Sequence, residues 1–114
     1  MAIRQEERRR FPRVNLRTPI RFEIVGESEF DNAVSVDLSV GGLSFVSNKF
    51  ISPETSLALE INVLSRVLKT VGKVVWTYHL PHSDWNRFGV EFVKFDPFER
   101  QYLSNYLKLL MQQS

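Results

Sequence analysis

The 114-residue sequence contains no cysteine, and this absence excludes a disulfide framework, a thiolate metal site and a cysteine nucleophile. It also lacks any apolar run approaching the roughly 20 residues that span a bilayer, so we expect no membrane insertion. The first seven residues are charged and lack the apolar middle of a secretory signal. These absences favour a cytoplasmic protein, and a hydrophobic fraction of 43% is sufficient for the core of one compact domain.

Recognisable catalytic sets are missing as well. No glycine-rich phosphate loop opens a helix, and no nucleophile is placed with a base, so we expect neither enzyme activity nor a cofactor. The only histidines, His79 and His82, lie close together without a cluster of carboxylate or cysteine ligands around them. Such a pair is a poor metal site, and we therefore expect no bound metal.

Positive charge is concentrated at the N-terminus. Residues 1–17 contain six arginines and two glutamates, whereas the rest of the chain contains nine basic and eleven acidic residues. The formal net charge of +2 is therefore the sum of a basic arm and a mildly acidic body. We assign the arm to residues 1–13. Such an arm faces either solvent or an anion. Arginine favours the anion, because its planar fork binds phosphate through two hydrogen bonds and stacks on bases.

Alternating apolar and polar residues predict six short strands after the arm. The segments are 18–25, 31–38, 43–47, 57–63, 66–78 and 87–93. Short strands at near-regular spacing, followed by one helix, are typical of an antiparallel barrel. We therefore predict an all-β domain, in which a six-stranded antiparallel β-barrel occupies residues 14–96 and a C-terminal helix occupies residues 97–114.

The helix start is predicted from capping residues. Asp96 is a candidate N-cap, Pro97 suits the first helical position, and Glu99 stands where a capping box places its acid. Apolar residues then recur at steps of three and four, so one face of the helix should pack on the barrel. These residues are Phe98, Tyr102, Leu103, Tyr106, Leu107 and Leu110.

Two polar clusters are candidates for ligand binding. Asp37-Leu38-Ser39-Val40-Gly41-Gly42 stands between the second and third predicted strands, and Arg9-Arg10-Phe11-Pro12-Arg13 stands just before the first. In the first cluster, aspartate and serine can hydrogen-bond within the turn or outward. Glycine there permits positive φ or a close approach of the backbone. Taken alone, this cluster is also compatible with an ordinary hairpin turn.

Together, the two clusters resemble the RxxxR and [D/N]xSxxG motifs of the PilZ domain family. Members of this family are bacterial receptors for the second messenger cyclic di-GMP. The resemblance extends over nearly the whole chain and implies a six-stranded antiparallel barrel with a C-terminal helix. An arginine just before RxxxR tends to accompany an intercalated ligand dimer in this family, which implies two ligand molecules per domain. The ligand-binding residues that the resemblance implies are Arg8, Arg9, Arg13, Asp37, Ser39 and Gly42.

The register of RxxxR is an inference, because the arm matches the motif repeatedly. Arg13 with Arg17 is one of the other matches, and we prefer Arg9 with Arg13 because these two immediately precede the body. Arginine can bind a phosphate, pair with a guanine edge or stack on the base, and a two-bond contact with guanine contributes about 1–3 kcal/mol. Asp37 could accept from guanine N–H groups. Ser39 could bind the ligand or hold the turn.

We expect the arm to fold over the barrel when ligand binds, so that a changed surface is offered to an unidentified downstream protein. Two other functions stay open. A small β-barrel with a basic arm also describes nucleic-acid binders, although the acidic body argues against bound DNA or RNA. A PilZ-like adaptor that binds only proteins is the second alternative. Trp76 is a candidate for stacking on guanine, although tryptophans on such strands more often pack in the core.

Overall fold

The computed structural model describes residues 11–113, which form a closed barrel of six antiparallel strands and one helix. The order around the barrel is β1-β2-β3-β6-β5-β4, and β1 pairs with β4 to complete the ring. The predicted fold class is confirmed, whereas the division of the chain at residues 13 and 96 stays a prediction. The elements are β1 (Pro19–Ile24), β2 (Asp31–Leu38), β3 (Gly42–Ser47), β4 (Ser56–Val63), β5 (Arg66–His79), β6 (Asn86–Phe95) and α1 (Pro97–Gln112).

The barrel interior is filled by the apolar residues of the alternating pattern. Three buried phenylalanines connect strands that are distant in sequence: the rings of Phe22 and Phe45 lie 4.9 Å apart, and those of Phe45 and Phe88 lie 5.3 Å apart. Both pairs are tilted, which is a favourable arrangement for aromatic rings. This core holds β1, β3 and β6 in fixed positions. The site described below lies beside the turn between β2 and β3 and on the outer side of β5 and β6.

Helix α1 packs on the barrel through Leu103 and Leu107, which are both buried. Its start is capped as predicted, because the Asp96 carboxylate accepts from the backbone N–H groups of the second and third helical residues at 3.1 and 3.0 Å. Two expectations for the first turn are wrong. Phe98 is 85% exposed and lies outside the packed face. The Glu99 carboxylate accepts from the backbone N–H of Lys69 at 3.1 Å, so it reaches β5 rather than closing a capping box.

Strands β5 and β6 are longer than the sequence pattern predicts. β5 extends to His79, and β6 begins at Asn86 and continues to Phe95. Their register shifts twice, once near Gly72 and once between Val74 and Trp76. Each such bulge adds a residue to one strand and reverses the alternation that follows. A search for an unbroken two-residue period therefore ends β6 too early, because Lys94 and Phe95 follow the first of these shifts.

The segment before β1 is attached to the barrel beside the end of β2. Val14 and Leu38 exchange two backbone hydrogen bonds, of 2.9 and 3.0 Å, which form an isolated antiparallel bridge. Further along, the backbone N–H of Thr18 donates to Ser35 Oγ, and that of Ser35 donates to the Thr18 carbonyl, each at 3.0 Å. Residues just upstream of Val14 are thereby placed next to the turn that follows β2.

Candidate functional site

Ser39 organises the turn between β2 and β3. Its hydroxyl oxygen accepts from the backbone N–H groups of Gly41 and Gly42, both at 3.1 Å, and its own backbone N–H donates to the Gly42 carbonyl at 2.8 Å. The residue is only 4% exposed. A serine hydroxyl that is surrounded in this way fixes the backbone of the turn. In the described structure, Ser39 therefore holds the shape of the site.

Gly42 is necessary because two backbones meet there. A Cβ atom at this position would lie 2.1 Å from the carbonyl oxygen of Val90 on β6, a distance that no real Cβ contact shows. The φ angle of Gly42 lies outside the left-handed region, so positive φ does not explain the glycine. The close approach that glycine permits is an approach of β3 to its neighbouring strand.

Asp37 binds two arginines at the end of β2. One carboxylate oxygen accepts from Arg13 Nη1 at 3.1 Å, and the other accepts from Arg87 Nη2 at 3.2 Å. The same Nη2 atom of Arg87 donates to the buried Ser44 hydroxyl at 3.1 Å. The Asp37 side chain is 11% exposed, whereas those of Arg13 and Arg87 are 41% and 35% exposed. A nearly buried carboxylate is thus held between two cations that solvent still reaches.

Arg87 was not singled out in the sequence. It lies at the start of β6, fifty residues from Asp37, and comes close to it because β3 pairs with both β2 and β6. Its Nε atom is buried and has no hydrogen-bond acceptor within the described residues. No local motif marks this arginine. Only knowledge of the strand order, in which β3 lies between β2 and β6, could have placed it beside the turn.

An open cleft of about 700 Å³ lies beside the turn. The segment before β1 contributes Phe11 and Arg13, the turn contributes its serine and glycines, and the outer side of β5 and β6 forms the floor. Helix α1 contributes Arg100, whose guanidinium lies 5.4 Å from the centre of the Phe11 ring. The Phe11 ring covers the turn so closely that a Cβ at Gly41 would lie 2.6 Å from it.

Trp76 lies on the wall of this cleft and outside the barrel core. Its indole covers Gly89, where a Cβ would lie 2.1 Å from ring atoms Nε1 and Cε2. The Arg87 guanidinium lies 5.9 Å from the centre of the Trp76 ring. The expectation that Trp76 packs in the core is therefore wrong. Its indole ring borders the same cleft as the turn.

The structure brings part of the predicted site together. Arg13, Ser39 and Gly42 line the cleft, while Asp37 lies behind Arg13 and contacts it directly. Arg8 and Arg9 lie outside the described residues. Within residues 11–113, no group of three or more histidine or acidic residues could hold a metal ion. In the same range, no helix is long and apolar enough to cross a membrane.

The chain was compared with known families, sequences and structures. Residues 7–109 match the PilZ domain, which is nearly the whole chain. No curated protein matches the sequence. Among solved structures, the PilZ domain of YcgR from Escherichia coli, with c-di-GMP, superposes with a TM-score of 0.70 at 17% identity, covering 93% of this chain and 94% of that one.

Two longer proteins share the fold. The Bacillus subtilis inhibitor of motility, MotI, superposes with a TM-score of 0.83 at 19% identity, covering 93% of this chain and 52% of that one. The K. pneumonia MrkH–c-di-GMP complex gives a TM-score of 0.71 at 16% identity, covering 92% and 52%. The chain thus spans about half the length of these two proteins. At such identities, the likeness concerns the fold.

Proposed function

We propose, because this chain belongs to the PilZ domain family, that it binds cyclic di-GMP in the cleft beside the Ser39 turn and acts as a receptor rather than an enzyme. The observation that carries the proposal is the contact between Arg13 and Asp37. It joins the arginine motif and the aspartate–serine–glycine motif at the edge of one open cleft. The structures of YcgR and MrkH that the chain resembles hold c-di-GMP, which supports the same ligand here.

Arg13 is the residue that exchanges partners in this proposal. It is half exposed, so its guanidinium can leave Asp37 for a phosphate or guanine edge of the ligand. A buried carboxylate that loses its only cation is strongly destabilised. Asp37 avoids this loss because Arg87 still donates to its second oxygen. The carboxylate oxygen that Arg13 releases can then accept from a guanine N–H group.

Trp76 adds a second kind of contact. The ring borders the cleft, and stacking of a base on an aromatic side chain contributes about 1–3 kcal/mol. Guanine can therefore stack on the indole while its edge hydrogen-bonds at the turn. With Arg8 preceding Arg9, we propose that the cleft and the arm together bind an intercalated pair of ligand molecules.

The proposed output is a change of surface. Ligand binding orders the basic arm against the barrel, and an unidentified downstream protein recognises the ordered form. The setting is cytoplasmic, and neither DNA nor RNA is part of the proposal. An affinity for RNA or DNA that falls steeply with salt concentration would instead support the nucleic-acid alternative.

Isothermal titration of cyclic di-GMP into the purified domain tests the proposal, with GTP as the control ligand. We expect saturation in the micromolar range, which corresponds to about −8 kcal/mol. The stoichiometry of that titration tests the paired ligand. A folded protein that gives no heat with cyclic di-GMP would overturn the receptor function and leave the protein-only adaptor as the better reading.

The register of the arginine motif is tested with matched variants. Arg13→Ala should abolish tight binding, because the exchange at Asp37 is lost. Arg17→Ala removes the same charge from an exposed residue four positions later and should bind like the parent. Equal binding by the Arg13→Ala variant and the parent would place the motif at other arginines.

A further inference from the structure

Four cationic side chains of residues 11–113 line the cleft, and two of them form ion pairs with carboxylates. Arg13 is bound to Asp37, and Lys73 Nζ lies 2.8 Å from a carboxylate oxygen of Glu54. The hydrogen bond to Glu54 raises the pKa of Lys73. Lys94 and Arg100 line the same cleft, and neither has a carboxylate within 4 Å in the part of the chain that the structure describes.

Lys94 and Arg100 belong to one local unit. Lys94 is near the end of β6, α1 begins three residues later, and the backbone N–H of Arg100 donates to the Asp96 carbonyl at 2.8 Å. These two residues border the cleft from the end of β6 and the start of α1, whereas Arg13 borders it from the segment before β1. Of the two acidic residues that line the cleft, Glu54 is paired with Lys73 and Glu91 is on β6.

Helix stability does not explain the position of Arg100. The first turn of a helix has a positive electrostatic potential, so a cation there is unfavourable for the helix. Arg100 occupies this turn, and its guanidinium lies over the Phe11 ring. A cation–π contact of this kind orients the planar group and leaves its N–H donors at the edge. The guanidinium is therefore held at the cleft wall without an acidic partner among the described residues.

We propose that Lys94 and Arg100 form a second anion subsite of the cleft, which binds a phosphate of the cyclic dinucleotide on the helix side. This inference rests on the proposed function. Cyclic di-GMP carries two phosphates in one ring. Arg13 with the arm binds the ligand from one side, and the Lys94–Arg100 subsite binds it from the other. A ligand held from both sides connects the barrel turn with helix α1.

The test compares two double variants by titration with cyclic di-GMP. Lys94→Ala/Arg100→Ala removes the subsite. Arg66→Ala/Lys69→Ala removes the same charge from two exposed residues that do not line the cleft. Arg66 is a close match for Arg100, because its guanidinium also stacks on an aromatic ring, that of Tyr102, at 4.8 Å. Thermal unfolding confirms that both variants stay folded.

We expect at least a tenfold loss of affinity in the subsite variant, because it removes charge-assisted hydrogen bonds to a phosphate. The control should lose less than threefold through long-range electrostatics that salt screens. Arg100→Lys should restore only part of the affinity, because an ammonium neither stacks nor forks equally well. Equal losses in both double variants, or none, would refute the subsite while leaving the receptor function intact. A parent protein that does not bind the ligand would refute both.

Discussion

Replacing Arg87 with alanine should destabilise the fold much more than replacing Arg13, although both arginines bind the same carboxylate. Arg87→Ala removes a hydrogen bond to Asp37 at 3.2 Å and one to the fully buried Ser44 hydroxyl at 3.1 Å. A hydrogen bond to a charged group contributes about 1.5–3 kcal/mol, and a buried hydroxyl without a partner costs about 1–3 kcal/mol. Since Arg87 is 35% exposed and water can replace part of these contacts, we expect a loss of about 2–3 kcal/mol.

Arg13→Ala should cost less than about 1 kcal/mol, the range of exposed ion pairs. Its side chain is more exposed, and it makes one hydrogen bond to Asp37. Urea unfolding of the ligand-free protein measures both values. An unchanged slope with urea concentration would show that the stability itself has changed. The two free energies should therefore show that Arg87 stabilises the site, whereas Arg13 is free to exchange partners at little cost to stability.

A double-mutant cycle tests the cause of the Arg87 effect. Asp37→Asn removes the charge and keeps one carbonyl acceptor. If Arg87 acts through the carboxylate, the losses of Arg87→Ala and Asp37→Asn will not add, and the coupling should be at least about 0.5 kcal/mol. A destabilisation by Arg87→Ala of under 0.5 kcal/mol, or one that adds fully to that of Asp37→Asn, would refute this account of the site.

Three further outcomes are expected at the turn and the cleft wall. Gly42→Ala should prevent or severely destabilise folding, because its Cβ would meet a backbone carbonyl oxygen at 2.1 Å. Gly41→Ala should destabilise the protein much less, because its Cβ would meet only the edge of a side-chain ring. Thermal unfolding measures both effects. Ser39→Ala should lower the free energy of unfolding by about 1–3 kcal/mol, because two turn N–H groups lose their acceptor, and a change within 0.5 kcal/mol would contradict the role given to its hydroxyl. Tryptophan fluorescence should respond to ligand in Trp85→Phe and not in Trp76→Phe, since only Trp76 lines the cleft; the reverse pattern would remove the indole from the binding site.

The sequence predicts the barrel well because each of the six strands contributes apolar residues to the core. Ile20 and Phe22 show how alternation alone identifies buried positions. It fails where a bulge shifts the register, as opposite Gly72, and there β6 continues to Phe95, beyond its predicted end. At the N-terminus of α1, spacing predicts that Phe98 packs on the barrel. Phe98 is instead 85% exposed, because it lies outside the helix face on which Leu103 and Leu107 are buried.

Local sequence motifs predict only part of the candidate site. Ser39 stands in a short motif, and its hydrogen bonds are to the two glycines of that same motif. Arg87 carries no comparable local signal, because its relation to Asp37 depends on the order of strands around the barrel. Arg100 likewise approaches the cleft only after α1 has packed on the core. Residues whose role arises from tertiary neighbours need the fold before they can be identified.

The backbone bridge between Val14 and Leu38 also determines which arginines can take part in binding. It holds the chain one residue after Arg13, at the edge of the cleft that Arg13 lines. A fully extended chain spans at most about 3.6 Å per residue, so a side chain can reach only as far from this anchor as its separation along the sequence allows. A short covalent connection to the edge of a site raises the effective concentration of a binding group there. The number of residues between an arginine and this bridge, as well as the motif spacing, therefore limits which arginines can bind the ligand.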